Sequence, residues 1–159
     1  MGTTIAVIGG SAPTPEEAAT AEAVGRALAQ AGAVLICGGR GGVMEAACRG
    51  AKAAGGITIG ILPGTDRREA NPFVDIPIVT GIGVARNAII TRTAQAVVAV
   101  GGSYGTLSEI ALALAFGVPV VGLGTWEMQR EGHPPVPITY AATPEEAIAF
   151  AIDMAHQRQ

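Results

Sequence analysis

Gly101, Gly102, Ser103, Tyr104, Gly105, Thr106, Leu107, Ser108 and Glu109 carry the densest chemical signal in this chain. Closely spaced glycines let backbone N–H groups approach a ligand, and a helix starting just after them adds its positive pole, so the run has the make-up of a phosphate cradle. Thr106 has two available roles, donating its hydroxyl to phosphate or capping the helix. Glu109 is a carboxylate where a bare anion site has no need of one, which points to chemistry beyond phosphate holding.

The elements that must position this run are legible around it. An apolar stretch, AVVAV, precedes it and another, IALALAF, follows, as expected of a buried strand and a helix. Short β-branched runs alternate with alanine-rich segments along the whole chain, predicting a single α/β domain: a Rossmann-like, doubly wound, mainly parallel sheet covered by helices on both faces. Strands are expected at residues 5–8, 34–37, 58–62, 76–79, 97–100 and 118–123, with a seventh candidate at 137–140. Two helices open with the same words, Thr14-Pro15-Glu16-Glu17 and Thr143-Pro144-Glu145-Glu146, each predicting a capping box. Residues 125–137 are polar, proline-rich and hold the only tryptophan, and are expected to form a surface loop or flap.

Three more glycine turns follow predicted strands: Gly9-Gly10-Ser11, then Gly38-Gly39-Arg40-Gly41-Gly42, then Gly81-Ile82-Gly83-Val84-Ala85-Arg86-Asn87. Loops at the carboxyl ends of parallel strands share one edge, and ligands bind where the strand order reverses. All four turns are therefore expected to line one crevice. Arg40 could close over a ligand or stand free on its turn, and Glu45 could serve catalysis or simply complement its helix dipole.

Composition excludes several chemistries. Lys52 is the only lysine, against nine arginines, and it sits in mid-helix. A Walker-type phosphate loop and a pyridoxal-phosphate Schiff base both lack their lysine. A net charge of −3 without basic runs argues against nucleic acid and acidic membrane surfaces. No apolar stretch reaches spanning length, and no signal peptide precedes Cys37 and Cys48. These two are expected to be reduced core thiols of a cytoplasmic protein, not metal ligands.

Two motif matches compete with the phosphate reading. Neither of the first two turns fits GxGxxG, and glycine follows the second strand where a ribose-binding acid is expected, so a nicotinamide site is disfavoured. GGSYG does match GxSxG, the nucleophile elbow of serine esterases. Only His133 and His156 exist to serve Ser103, one in the polar loop and one near the C-terminus.

GGSYGTLSE resembles the PGGxGTxxE signature of the LOG family, within the SLOG superfamily of "lysine decarboxylase-like" Rossmann proteins. GGRGGVMEAACRGA resembles that superfamily's second glycine turn, and VARNAII its arginine-bearing helix; the likeness spans residues 1 to about 124. The pattern ARN followed by GTLSE is similar to a sub-group that includes a molybdenum-cofactor carrier protein. Two positions depart from the enzymes, Asn87 in place of lysine and Val100 in place of proline.

The resemblance implies a catalytic pair at Arg86 and Glu109. It places the phosphate-binding turn on Gly102 to Thr106, and with the four-turn crevice this leads to expected ligand contacts from Gly10, Ser11, Gly39, Arg40, Gly41, Gly42, Asn87, Gly101, Gly102, Ser103, Gly105 and Thr106. Cleaving an N-glycosidic bond builds positive charge on ribose, so a carboxylate beside the sugar can stabilise that charge or activate water. A planar guanidinium can hold phosphate. Alternatively, Arg86 and Glu109 pair with each other and only order the pocket. The expected function is thus binding of a nucleotide-like phosphorylated ligand, as a nucleotide or molybdenum-cofactor carrier or sensor; the alternative is a nucleoside 5′-monophosphate phosphoribohydrolase. No cofactor is required on either reading, and molybdenum cofactor would be cargo. The helix at 110–116 is apolar all round, which together with the resemblance predicts a homodimer through it or through its neighbour around residues 88–91.

Overall fold

The structure is a computed structural model that describes residues 2–158. Seven strands, β1 (Thr4–Gly9), β2 (Val34–Cys37), β3 (Thr58–Leu62), β4 (Ile76–Val79), β5 (Ala96–Val100), β6 (Val120–Leu123) and β7 (Ile138–Tyr140), form one sheet. Five helices accompany them: α1 (Pro15–Gln30), α2 (Val43–Ala53), α3 (Asn87–Thr93), α4 (Tyr104–Ala115) and α5 (Pro144–Gln157). Every strand pairing is parallel and the order is β4-β3-β2-β1-β5-β6-β7. The fold is Rossmann-like α/β. The chain winds outward from β1 to β4, returns to lay β5 beside β1, and winds outward the other way, so the order reverses between β1 and β5.

Alternation along the strands divides the core in two. Ile5, Val7, Leu35, Cys37, Val98 and Val100 pack against α1, α2 and α5. Ala6, Ile8, Ile36, Ile61, Val97 and Ala99 pack under α3 and α4. Strands buried on both faces must be apolar at every position, which is why these segments read as continuous apolar runs. α1 and α2 cross closely because each carries a glycine at the contact. A Cβ on Gly25 would collide with the Ala47 carbonyl, and one on Gly50 with that of Glu22.

Two local expectations need correction. Thr14 and Glu17 close a full capping box, 3.1 Å and 2.9 Å. Thr143 also caps its helix, accepting from the Glu146 N–H, but the Glu146 carboxylate accepts from Ala142 instead of from Thr143. The chain leaves β7 with Ala141 bonded to the Gly122 carbonyl, and this turn presents the Ala142 N–H to the carboxylate. β6 begins at Val120, two residues late, because the Val118 N–H still closes the exit of α4 onto Ala113, past Gly117 at φ 68°.

α4 buries Thr106, Glu109, Ile110 and Ala113 but leaves Tyr104 and Ala111 exposed, so in one copy of the chain it is not covered all round. Ile82, Val84 and Ile89 are exposed nearby. Cys37 and Cys48 are free and buried, with sulfurs 3.6 Å apart; the bond between them pushes the Cys37 thiol up and Cys48 down. No helix among the described residues is long and apolar enough to cross a membrane.

Candidate functional site

A crevice of about 230 Å³ opens at the carboxyl edge where β1 and β5 part. β1 delivers Gly9, Gly10 and Ser11; β5 delivers the glycine run, of which Ser103, Gly105, Thr106 and Glu109 face the crevice; the turn after β4 brings Val84, Arg86 and Asn87. Met44, from the first turn of α2, completes the wall. Tight turns are required here. Gly101 and Gly102 have φ of 52° and 103°, conformations that L side chains rarely adopt.

Thr106 lies inside α4, where it cannot cap the helix, and its position two residues past the start turns its side chain inward. The residue is 2% exposed and its Oγ1 has no hydrogen-bond partner. An unpaired buried hydroxyl costs about 1–3 kcal/mol, so it marks a place where a partner is expected. Ser103, at the N-cap, uses no side-chain cap. The first N–H groups of α4 are therefore left facing the same space.

Arg86 is half-buried. Its Nε donates to the Ile61 carbonyl at 2.9 Å and an Nη to Asn87 Oδ1. Gly38 makes room for it: a Cβ there would lie 2.8 Å from the guanidinium and 2.7 Å from Met44 Sδ. Burial pulls the guanidinium below its usual pKa, an effect that Glu109 and Cys37 oppose. Glu109 is 8% exposed, and burial pushes its carboxyl up to about 7, with Arg86 pulling the other way. Arg86 and Glu109 form no direct ion pair; they sense each other through space across the crevice.

The second glycine turn does not line the crevice, contrary to expectation. Gly39 packs on Gly60 and Leu62, its carbonyl accepting from the Asn71 N–H at 2.8 Å. The Asn71 side chain holds the Arg40 carbonyl at 2.9 Å, and the Arg40 guanidinium reaches Glu69 at 3.5 Å. Gly42, at φ 72°, lets the second turn close against the first, with the Val43 N–H on the Gly10 carbonyl. Gly39, Arg40 and Gly42 thus pack against β3, the segment beyond it and the first turn, while the Arg40 charge still reaches Arg86 and lowers its pKa. Asn71 was not singled out by its sequence context because it sits in an irregular segment with no motif.

Gly101 and Gly102 face a second hollow of about 280 Å³, shared with Glu17, Gly124, Thr125 and Trp126. A larger cavity of about 480 Å³ lies between the starts of α1 and α5. It presents Glu16 and Glu17 and no basic side chain, and threonine caps already occupy both helix starts, so it suits no anion. Neither histidine hydrogen-bonds to Ser103. His156 bonds Thr3, before the amino end of β1 and on the opposite edge of the sheet. Ser103 also has ordinary extended backbone, without the strain of a nucleophile elbow.

The profile of the SLOG cluster4 family matches residues 2–148. An uncharacterized protein of Archaeoglobus fulgidus is 44% identical over 151 residues, 93% of each chain. A cytokinin riboside 5′-monophosphate phosphoribohydrolase of Mycobacterium marinum is 36% identical over 111 residues, 67% of this chain and 59% of that one. Among solved structures, the molybdenum cofactor binding protein of Rippkaea orientalis superposes with a TM-score of 0.87 at 37% identity, over 97% of this chain and 98% of the other. The molybdenum cofactor carrier protein of Chlamydomonas reinhardtii gives 0.83 at 40%, over 97% and 99%.

Proposed function

The chain belongs to the SLOG cluster4 family, and on that premise we propose that it binds a phosphorylated small molecule of nucleotide or molybdopterin type at the β1/β5 switch point, as a carrier or sensor. The observation that carries this reading is the buried, unpartnered Thr106 hydroxyl beside the free start of α4. Phosphate oxygens would accept from that hydroxyl and from the adjacent N–H groups, and Arg86 would add a cation from the opposite wall. Gly10, Ser11, Ser103 and Gly105 shape the cradle, and Asn87 orients Arg86. The likeness to molybdenum cofactor binding and carrier proteins supports this reading over nearly the whole chain.

AMP serves as a probe. Calorimetric titration should show saturable binding of unchanged AMP, with affinity about tenfold weaker in Thr106→Val and lost in Arg86→Ala. Adenosine binding as tightly as AMP would exclude a phosphate site.

A second reading, phosphoribohydrolase activity, is favoured by one specific feature: Glu109 is a carboxyl poised near pH 7 and free of any ion pair. Its ionised form would stabilise the charge developing on ribose. On this reading AMP and water yield adenine and ribose 5-phosphate, the water oxygen replacing the base on the ribose carbon, Glu109→Gln abolishes release, and the rate climbs as pH rises through about 7. Absence of free base across a panel of nucleoside monophosphates removes it.

We also infer that two copies of the chain associate through the apolar surface formed by Ile82, Val84, Ile89 and the stretch of α4 around Ala111. Analytical ultracentrifugation at micromolar concentration should give a dimer mass, and Ile89→Asp should shift it to monomer. A monomer in the unmodified protein overturns this.

A further inference from the structure

We propose that Tyr104, backed by Trp126, is the stacking platform for the planar heteroaromatic ring of the crevice's phosphorylated ligand. The proposal rests on the reading of the crevice as a phosphate site and adds the other end of the molecule.

Tyr104 is the first residue of α4, between Ser103 and Gly105, both of which line the crevice. It is 80% exposed, an extreme value for a large aromatic side chain. One face of its ring is occupied: Trp126 stacks there, with centroids 5.9 Å apart and planes at 28°. The remainder of the ring meets solvent, beside two residues that line the crevice.

Trp126 is not a loose loop residue. Its Nε1 donates to the Ser103 carbonyl at 3.0 Å, its own carbonyl accepts from the Tyr140 hydroxyl at 2.6 Å, and the neighbouring Thr125 hydroxyl donates to the Gly101 carbonyl at 2.6 Å. The start of the proline-rich segment is thereby stitched to both sides of the glycine turn that would hold phosphate. A pre-ordered aromatic pair adds little ordering cost when a ring stacks on it.

The placement suits a nucleotide-like molecule. Tyr104 and Thr106, the first and third residues of α4, point to different sides of the helix, one exposed and one buried, so an anion held over the free helix end between them leaves its attached ring to extend outward past Ser103 and Gly105 to Tyr104. A planar nitrogen heterocycle is the class that uses such a surface, since any such ring has a π-face to stack. Nucleobases and pterins share this chemistry.

The test uses the full chain and its single tryptophan as a built-in reporter. AMP, GMP, a pterinylmethyl phosphate and ribose 5-phosphate are titrated into the unmodified protein, Tyr104→Phe and Tyr104→Ala, following Trp126 emission and heat. At least one ring-bearing phosphate should bind about tenfold tighter than ribose 5-phosphate and alter Trp126 emission. Which ring does so identifies the base or pterin source. Tyr104→Phe should keep that preference and Tyr104→Ala should erase it, with ribose 5-phosphate binding unchanged in all three proteins.

Equal binding of all four probes to the unmodified protein overturns the platform and leaves the phosphate site standing. So does a ring preference that survives Tyr104→Ala, or a change confined to the association state, which would place Tyr104 on the self-association surface. Failure of all four to bind overturns the phosphate reading and the platform with it.

Discussion

Thr106 and Glu109 are each poorly satisfied in the chain by itself, and each discomfort has a measurable signature. The Thr106 hydroxyl is buried without a partner, so replacing it with the near-isosteric valine should leave the ligand-free protein as stable or about 1 kcal/mol more stable, while AMP affinity falls. Urea unfolding of Thr106→Val with and without AMP checks both halves; a strongly destabilised variant would mean the hydroxyl has a structural partner. Glu109 titrates near 7 when folded and near 4.5 when unfolded. Between those values the folded chain holds a proton that the unfolded chain has released, so this group favours folding most below pH 4.5. The contribution is lost as pH rises through 7, by at most about 3 kcal/mol. Glu109→Gln should remove that dependence and be the more stable protein at pH 8, with little difference at pH 4.5. A variant less stable than the parent at pH 8 contradicts the assignment. Arg86 and Glu109 were recognisable from their motifs. That they do not pair was not, because Arg86 is turned aside by the Ile61 carbonyl and Asn87, contacts made across 25 residues and next door.

At the level of elements, close approach decides what each glycine does. Gly25 and Gly50 bring α1 and α2 together, so Gly50→Ala should destabilise the protein by about 1–3 kcal/mol, read as a lowered midpoint in urea. An unchanged midpoint would mean the helices can separate freely. Cys37 and Cys48, sealed between β2 and α2, should resist a thiol reagent in the native protein and both react on unfolding. The strands were legible because each is an apolar, β-branched run bounded by glycine, proline or polar residues, and β2, β3 and β4 fall on the expected residues. The role of the second glycine turn was not legible. Its composition matches that of a ligand loop, but its partners, Gly60, Leu62, Glu69 and Asn71, come from β3 and the segment beyond it, and no local pattern announces them. The same holds for Trp126, whose bonds to Ser103 and Tyr140 tie the beginning of a surface loop to the glycine turn.

At the scale of the whole molecule, the reversal of strand order between β1 and β5 is what gathers these groups. It places the turn after β1 and the start of α4 side by side, and the turn after β4 comes back over the gap carrying Arg86. This architecture followed from the alternation of strand and helix patterns, and the family from two glycine-rich motifs and one arginine-bearing helix. The identity of the ligand's far end depends on side chains that only the fold brings together. Whether this crevice holds a phosphorylated ligand is read by native mass spectrometry of the protein purified without added ligand. An adduct with the mass of a nucleotide or molybdopterin should be present, and absent from Arg86→Ala. Recovery of the bare chain alone, or of an adduct undiminished in Arg86→Ala, would contradict binding at this crevice.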